Sequence, residues 1–400
     1  MGRNLGKKEH DSFGTLQKKL FNALEKRIIS GIRKVINMQI SLTKELAKAV
    51  GVEVQPASNE MDPFFCWTAD LTNAFQDHKK NMIVMVNHAT RFTVLIYGVK
   101  RRLLHTAAEK MAAAIRDTLL EMNINPKIVD EYFKQAGEIT FVENKSSQIT
   151  AWVNQQSLEA ASVVSNMVND TDYKINFEDT LGYAVSKDPV DKAGKLFPYD
   201  EMVKALAAHT NHTGLPLYQY RAFELLVTLD LEVYQATRRL IVPANLELAG
   251  LHEVLQDVFG WANDHLYDFA VLDERTGERV VSLVASKEDR VFGDILLTGH
   301  KLSDFFPKCK QMLYTYDFGD QWEHLIELVK VINHYDKKSP YLVKASGQTP
   351  PEDVGGVDGF IDFRKIILNP KNPQYNDAME WSGGWSPELI DEGPYVVDFR

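Results

Sequence analysis

An α+β architecture follows from three features of this 400-residue sequence. Runs in which apolar and polar residues alternate stand in pairs around turn residues, the period-2 mark of hairpins. Other stretches carry apolar residues at three- and four-residue spacing, the stripe of a packed helix. Strands and helices come in blocks, which predicts two α+β domains with mainly antiparallel sheets, preceded by an N-terminal basic amphipathic helix.

Residues 1–37 form the expected leader. Leu16, Leu20, Leu24, Ile28, Ile32 and Val35 make an apolar stripe, and Lys18, Lys19, Lys26, Arg27, Arg33 and Lys34 fill the other faces. Such a helix can dock on another helix, track phosphates or lie on a membrane surface. A protein or nucleic-acid partner is therefore expected at the leader.

An α+β domain is expected over 38–165. MQISL reads as a strand, and KELAKAV as a helix with Thr43 as N-cap and Gly51 as stop. NMIVMVNH and FTVLIYG form a hairpin turning at Ala89-Thr90. A long helix follows, with Leu104, Ala108, Met111, Ile115, Leu119 and Met122 on one side. A second helix opens at Pro126 and stops near Gly137, before the strand EITFVE. Residues 166–218 read as a polar linker containing one short helix, YDEMVKALAAHT.

The second α+β domain is expected over 219–400. YRAFELLVTLD alternates through Phe223, Leu225 and Val227, and RRLIVP continues the sheet to Pro243. Asn245 is the expected cap of the helix LELAGLHEVLQDVFG. HLYDFAVLD and ERVVSLVAS turn at Thr276-Gly277, and a further hairpin lies within YTYDFGDQWEHLIEL. TPPEDVGGVDG then leads into the helix FIDFRKIIL.

Composition narrows the function. The chain is 44% hydrophobic, 10% aromatic and 25% charged, ordinary for a globular protein. The longest apolar run, MIVMV, is far short of the roughly 18 residues of a membrane helix. Cys66 and Cys309 stand apart in no paired spacing, which excludes a cysteine-built zinc site and agrees with a soluble, cytoplasmic protein. Residues 1–48 carry 11 Lys/Arg against 4 Asp/Glu, whereas 219–400 carry 18 against 30. An acidic surface repels a phosphate backbone, so nucleic acid, if bound, belongs at the leader.

Candidate chemistry concentrates in the C-terminal half. In YTYDFGDQWEHLIEL, Asp317 and Asp320 flank Gly319, and Trp322 and His324 share a strand face that Glu323 leaves. Asp317 or Asp320 with His324 is a possible acid–base or metal grouping if His252 or His265 comes near; turn capping is the plainer reading. Glu352 and Asp353 precede Gly355 and Gly356, where a phosphate loop is excluded because the acids repel an anion and the required Lys is missing. These acids can instead help hold a cation. Tyr314, Tyr316 and Trp322 can stack a planar ligand, and His252 sits among helix leucines as a core histidine would. No HExxH, GxSxG or GxGxxG occurs, and no cofactor is indicated.

LHEVLQDVFGW, HLYDF, YTYDFGDQWEH and PPEDVGG, in that order, with RRLIVP before them, resemble the plasmid pRiA4b ORF-three-like family over about 219–392. SLTKELAKAVG, FFCWTADL and NMIVMVNHATRFTVLIYG resemble an uncharacterised domain often joined to it in mobile-element passenger proteins. The resemblance implies an α+β fold and association with plasmids or transposons. Many relatives carry cysteines where Leu342, Thr349 and Val354 stand here, and Gln321 replaces a frequent Gly. Nothing resembles a serine or tyrosine recombinase set.

The expected function is a non-enzymatic accessory or adaptor protein of a mobile element. Two alternatives stand beside it. One is a divalent-metal hydrolase or nuclease using Asp317, Asp320, Glu352 and Asp353; the other is a sensor of a planar small molecule.

Overall fold

A computed structural model describes residues 38–58, 60–74, 77–99, 106–168, 185–387 and 394–397. The basic leader, with Lys18, Lys19, Lys26, Arg27, Arg33 and Lys34, lies outside the described residues.

The first sheet has five strands: β1 (Met38–Leu42), β2 (Cys66–Ala74), β3 (Asp77–Asn87), β4 (Thr93–Val99) and β5 (Ile139–Glu143), in the order β4-β3-β2-β1-β5. Strand β1 is central and runs parallel to both β2 and β5, while the β2–β3–β4 meander is antiparallel. The run MIVMV explains the layering. Ile83 and Met85 enter one core, and Met82, Val84 and Val86 enter another on the opposite face. A strand apolar on both sides must be covered on both sides. One cover comprises α1 (Lys44–Val50), α2 (Ala107–Glu121), α3 (Pro126–Ala136) and α5 (Pro198–Thr210); the other is α4 (Ser147–Val168).

Local signals explain several helix ends. Asn125 caps α3 by accepting from Lys127 N at 3.0 Å, Pro126 opens it, and Gly137 at φ 67° ends it. Gly51 at φ 71° stops α1. Thr43 holds the N-cap position of α1, but its hydroxyl donates to Asp70 Oδ1 at 2.7 Å instead of capping. Helix α4 has no counterpart in the sequence reading. Its apolar residues are diluted by Ser, Asn and Gln, and only contact with the sheet shows which face is buried.

The second sheet has nine strands. These are β6 (Tyr220–Asp230), β7 (Gln235–Pro243), β8 (Tyr267–Leu272), β9 (Arg279–Val284), β10 (Ile295–Leu296), β11 (Gln311–Tyr316), β12 (Trp322–Tyr335), β13 (Tyr341–Ser346) and β14 (Tyr395–Val396). Their order is β10-β9-β8-β11-β12-β6-β7-β13-β14, and within this sheet only the β9–β10 pairing of the described strands is parallel. Phe223, Leu225, Val227 and Leu229 are fully or almost fully buried, so the alternation read in β6 sets the core face.

On that face lie α6 (Leu248–Phe259) and α8 (Gly356–Ile367), which contribute Leu251, Leu255, Phe360 and Phe363 to one core. Two small helices, α7 (Leu302–Phe305) and α9 (Tyr375–Trp381), complete this region. Both regions mix helices and strands, so the chain is α+β. The cap expected of Asn245 is not made: Glu247 is the N-cap residue of α6, and Asn245 Nδ2 donates to Glu121 O at 3.0 Å, tying the two sheet-containing regions together.

Candidate functional site

The site grows from one strand register. Antiparallel pairing of β8 with β11 sets Tyr267 against Tyr316, so residues 262–266 lie beside the turn that follows Tyr316. That turn, Asp317 to Gln321, joins β11 to β12, where Tyr316 pairs with Trp322.

Asp317 organises the bend. Its N–H donates to Leu266 O at 2.9 Å, its Oδ1 accepts from Gly319 N at 2.8 Å, and its carbonyl accepts from Gln321 N at 2.6 Å. The left-handed positions are Asp317 at φ 56° and Gln321 at φ 54°; Gly319 is not among them. A glycine at 321 would take this conformation without the Cβ penalty of roughly 1 kcal/mol that Gln321 bears.

The second acidic bend meets the first. Asp353 at φ 58°, Gly355 at φ 90° and Gly356 at φ 67° coil the chain before α8. Asp320 Oδ2 accepts from Gly355 N at 3.2 Å. A Cβ on Gly356 would stand 2.7 Å from Asp320 O, so only glycine lets the bends approach this closely. Tyr316 donates its hydroxyl to Glu352 Oε1 at 2.8 Å and accepts from Asp264 N at 3.1 Å. Glu352 also accepts from Ala262 N at 3.0 Å.

His265 stands between the bends. Its Nδ1 is 3.7 Å from Asp317 Oδ2 and its Nε2 is 3.6 Å from Asp353 Oδ1. These three residues could hold a metal ion, because each offers one donor atom and all three lie within 4.8 Å of one another. The pairing of β8 with β11 is what brings His265 here. From sequence, its place before a strand showed nothing of the bend it would face.

The other candidates lie elsewhere. His324 is fully buried and does not join the acids. Its Nδ1 lies 2.9 Å from Trp322 O, and its Nε2 accepts from the Trp261 indole at 3.4 Å. That pattern fits a neutral ring protonated on Nδ1. Burial drives the His324 pKa down to about 4, since charging the ring would strand a cation in the core.

His252 is also neutral in its setting. It stacks on Tyr267 with centroids 3.5 Å apart, reaches Tyr314 Oη at 2.8 Å and reaches Asn263 Oδ1 at 2.7 Å. Burial lowers its pKa as well. Gln256 Nε2 donates to the same Tyr314 hydroxyl at 2.9 Å.

Stacking of a planar ligand on Tyr314, Tyr316 and Trp322 is overturned. All three are fully buried, with Trp261 stacked over Trp322 at 5.6 Å. Alternation put these aromatics on one face, and that face is the core.

A buried arginine anchors the neighbouring loop. Arg238 donates Nε to Val258 O at 2.5 Å, Nη1 to Gly347 O at 3.0 Å and Nη2 to Thr349 Oγ1 at 3.1 Å, with its guanidinium 4.6 Å over Phe259. Arg239, its sequence neighbour, points to the other face and pairs with Glu224. The strand period separates the two roles. Thr349 therefore serves here as a hydrogen-bond partner of the guanidinium.

Residues 221–393 match the family described as Plasmid pRiA4b ORF-3-like protein, and residues 39–198 match a domain of unknown function, DUF6933. The chain is 36% identical over 171 residues to the uncharacterized protein y4hQ of Sinorhizobium fredii, covering 40% of this chain and 79% of that protein. It is also similar to the crystal structure of a protein of unknown function from Methanosarcina mazei Go1, at 28% identity and TM-score 0.39, covering 43% of this chain and 96% of that one. With Arg238 at its core and the two acidic bends joined at its rim, the C-terminal half places this chain in the plasmid pRiA4b ORF-3-like family.

Proposed function

We propose that this protein is a non-enzymatic binding or adaptor protein associated with mobile elements, as the plasmid in its family's description points to. One observation carries the reading: groups that could perform acid–base chemistry are already committed to holding the fold. His252 and His324 are buried and hydrogen-bonded, Glu352 is bound by Tyr316 and Ala262, and Asp320 accepts from Gly355. General catalysis needs a group free to exchange a proton with substrate. The partner surface in this reading is the basic leader. The test is retention of the full-length chain on immobilised duplex DNA and on an acidic polypeptide, against a variant with Lys18, Lys19, Lys26, Arg27, Arg33 and Lys34 changed to Ser. Loss of retention on either support is expected; equal retention on both would end the reading.

A second reading keeps a divalent cation, moved from the four-carboxylate set to His265, Asp317 and Asp353. Asp320 and Glu352 leave the set because their carboxylates do not converge with His265, Asp317 and Asp353. His265 presents a different ring nitrogen to each carboxylate, the arrangement of an ion-pair bridge. One ion bound by all three would take a single ring nitrogen and draw the exposed Asp353 side chain towards it. Calorimetric titration with Mg²⁺, Mn²⁺ and Zn²⁺, repeated on His265→Ala, decides this reading. Heat that His265→Ala abolishes supports it, and silence with every metal removes it.

A further inference from the structure

The two sheet-containing regions meet at a charged joint that shares no residue with the acidic bends. Glu121 is the last residue of α2, and Lys301 Nζ donates to its Oε1 at 2.6 Å. Both side chains are largely buried, so salt screens the pair poorly. An anion at a helix C-terminus faces the negative end of the helix dipole, so Glu121 destabilises α2 unless a cation answers it. Lys301, from the other region, supplies that cation. Beside it, Asn245 Nδ2 donates to the Glu121 carbonyl.

Strand geometry places a second acid against the same lysine. Glu247 and Lys301 face each other in an isolated antiparallel bridge. Leu248 N donates to His300 O and Leu302 N donates to Leu246 O, both at 2.9 Å, so the pair stands between two hydrogen bonds without exchanging any of its own. In that type of pair the side chains approach most closely. One oxygen of Glu247, Oε1, is buried with no hydrogen-bond partner among the described residues. Burial raises the Glu247 pKa; Lys301 opposes the rise and Glu121 adds to it. The other charges on this bridge belong to a separate pair. Asp304 Oδ2 accepts from Lys301 N at 3.0 Å and lies 3.5 Å from His300 Nδ1.

Two carboxylates thus share one ammonium. With both ionised, they repel each other across the junction and divide the attraction of Lys301. A proton on Glu247 removes the surplus negative charge and leaves Lys301 to Glu121 alone.

We infer that Glu121, Lys301 and Glu247 form a proton-sensitive joint between the two regions, which tightens when Glu247 is protonated. Glu121 and Asn245 also line a cleft between the regions, so the joint is part of that cleft's wall. The inference stands apart from the basic leader and the cation reading. A carboxyl whose pKa is raised by folding is penalised while ionised. The penalty is complete above the folded pKa and disappears as pH falls through that value towards the ordinary 4.5. Acid therefore stabilises this joint, the reverse of its effect on the buried His324.

The test is hydrogen exchange of the full-length protein, read at two junction amides. Gln219 N donates to Asn123 O at 3.2 Å, and Asn125 N donates to Leu217 O at 2.8 Å. At pH 8, Glu247→Gln, the neutral isostere, should protect these amides about threefold better than the native chain. The gain should fade as pH drops to 5, because the native residue then takes up its own proton. Every other ionisable group, His300 and Asp304 included, is common to both proteins, so the difference isolates residue 247. Glu121→Gln should lower protection at both pH values and remove its rise in acid, which keeps the test decisive if Glu247→Gln fails to fold. Equal protection in the native and Glu247→Gln proteins at pH 8, a gain undiminished at pH 5, or an acid rise that survives Glu121→Gln would overturn the proposal.

Discussion

The Tyr316 hydroxyl bonds Glu352 Oε1 at 2.8 Å and joins two chain segments that sequence separates by thirty-six residues. The same oxygen accepts from Asp264 N, so three segments meet at one phenol. Tyr316→Phe removes both bonds and leaves a backbone N–H without its partner. Urea unfolding should show a loss of about 1–2 kcal/mol with unchanged circular dichroism. No measurable loss would mean the bends are held by their other contacts.

Gly356 lets those segments touch, and substitution there should be costly. Gly356→Ala puts a Cβ 2.7 Å from Asp320 O at a residue whose φ is +67°. The expected loss exceeds about 2 kcal/mol, because steric displacement adds to left-handed strain. Gly277→Ala is the control: its φ is +71°, but nothing lies within 4 Å of the added atom. It should cost about 1 kcal/mol. Equal losses in the two variants would show that conformation, and not contact with Asp320, sets the cost.

Stability should fall as the solution is acidified through the histidine range. Burial holds His324 near pKa 4 in the fold, against an ordinary value of 6.5. The unfolded chain therefore binds the extra proton first. The contribution is fully present above pH 6.5 and drains away as pH falls towards 4. It amounts to roughly 3 kcal/mol. His88, also lowered to about 4 by burial, and His252, lowered likewise, act with the same sign. Urea unfolding at pH 7 and pH 5 measures the slope, which His324→Leu should flatten even as it lowers stability overall.

Adjacent arginines on β7 should lose very different amounts of stability on the same substitution. Arg238→Lys leaves carbonyls at Val258 and Gly347 without their fork of donors and should cost about 3 kcal/mol or more. Arg239→Lys alters a pair in which the arginine is nearly half exposed and should cost under about 1 kcal/mol. Thermal melts of the two variants make the comparison.

The sequence by itself determined most of the elements and which side chains share a face. Alternation in YRAFELLVTLD marked the core side of β6, Pro126 opened α3, and MIVMV marked a strand. These are short-range consequences of side-chain period and backbone freedom. Helix α4 escaped because its stripe is diluted, and the parallel contacts of β1 escaped because no local pattern encodes which distant strands, β2 and β5, pair with it. The acidic bends were legible as bends, with Asp317 bonding the amide two residues on as its type favours. Only the tertiary structure decided their company. The β8–β11 register delivered His265 to Asp317 and Asp353, while one-sided burial of the sheet sealed Tyr314, Tyr316, Trp322 and His324 inside. Period tells which side chains share a face, but whether that face meets water or a helix depends on what packs against it.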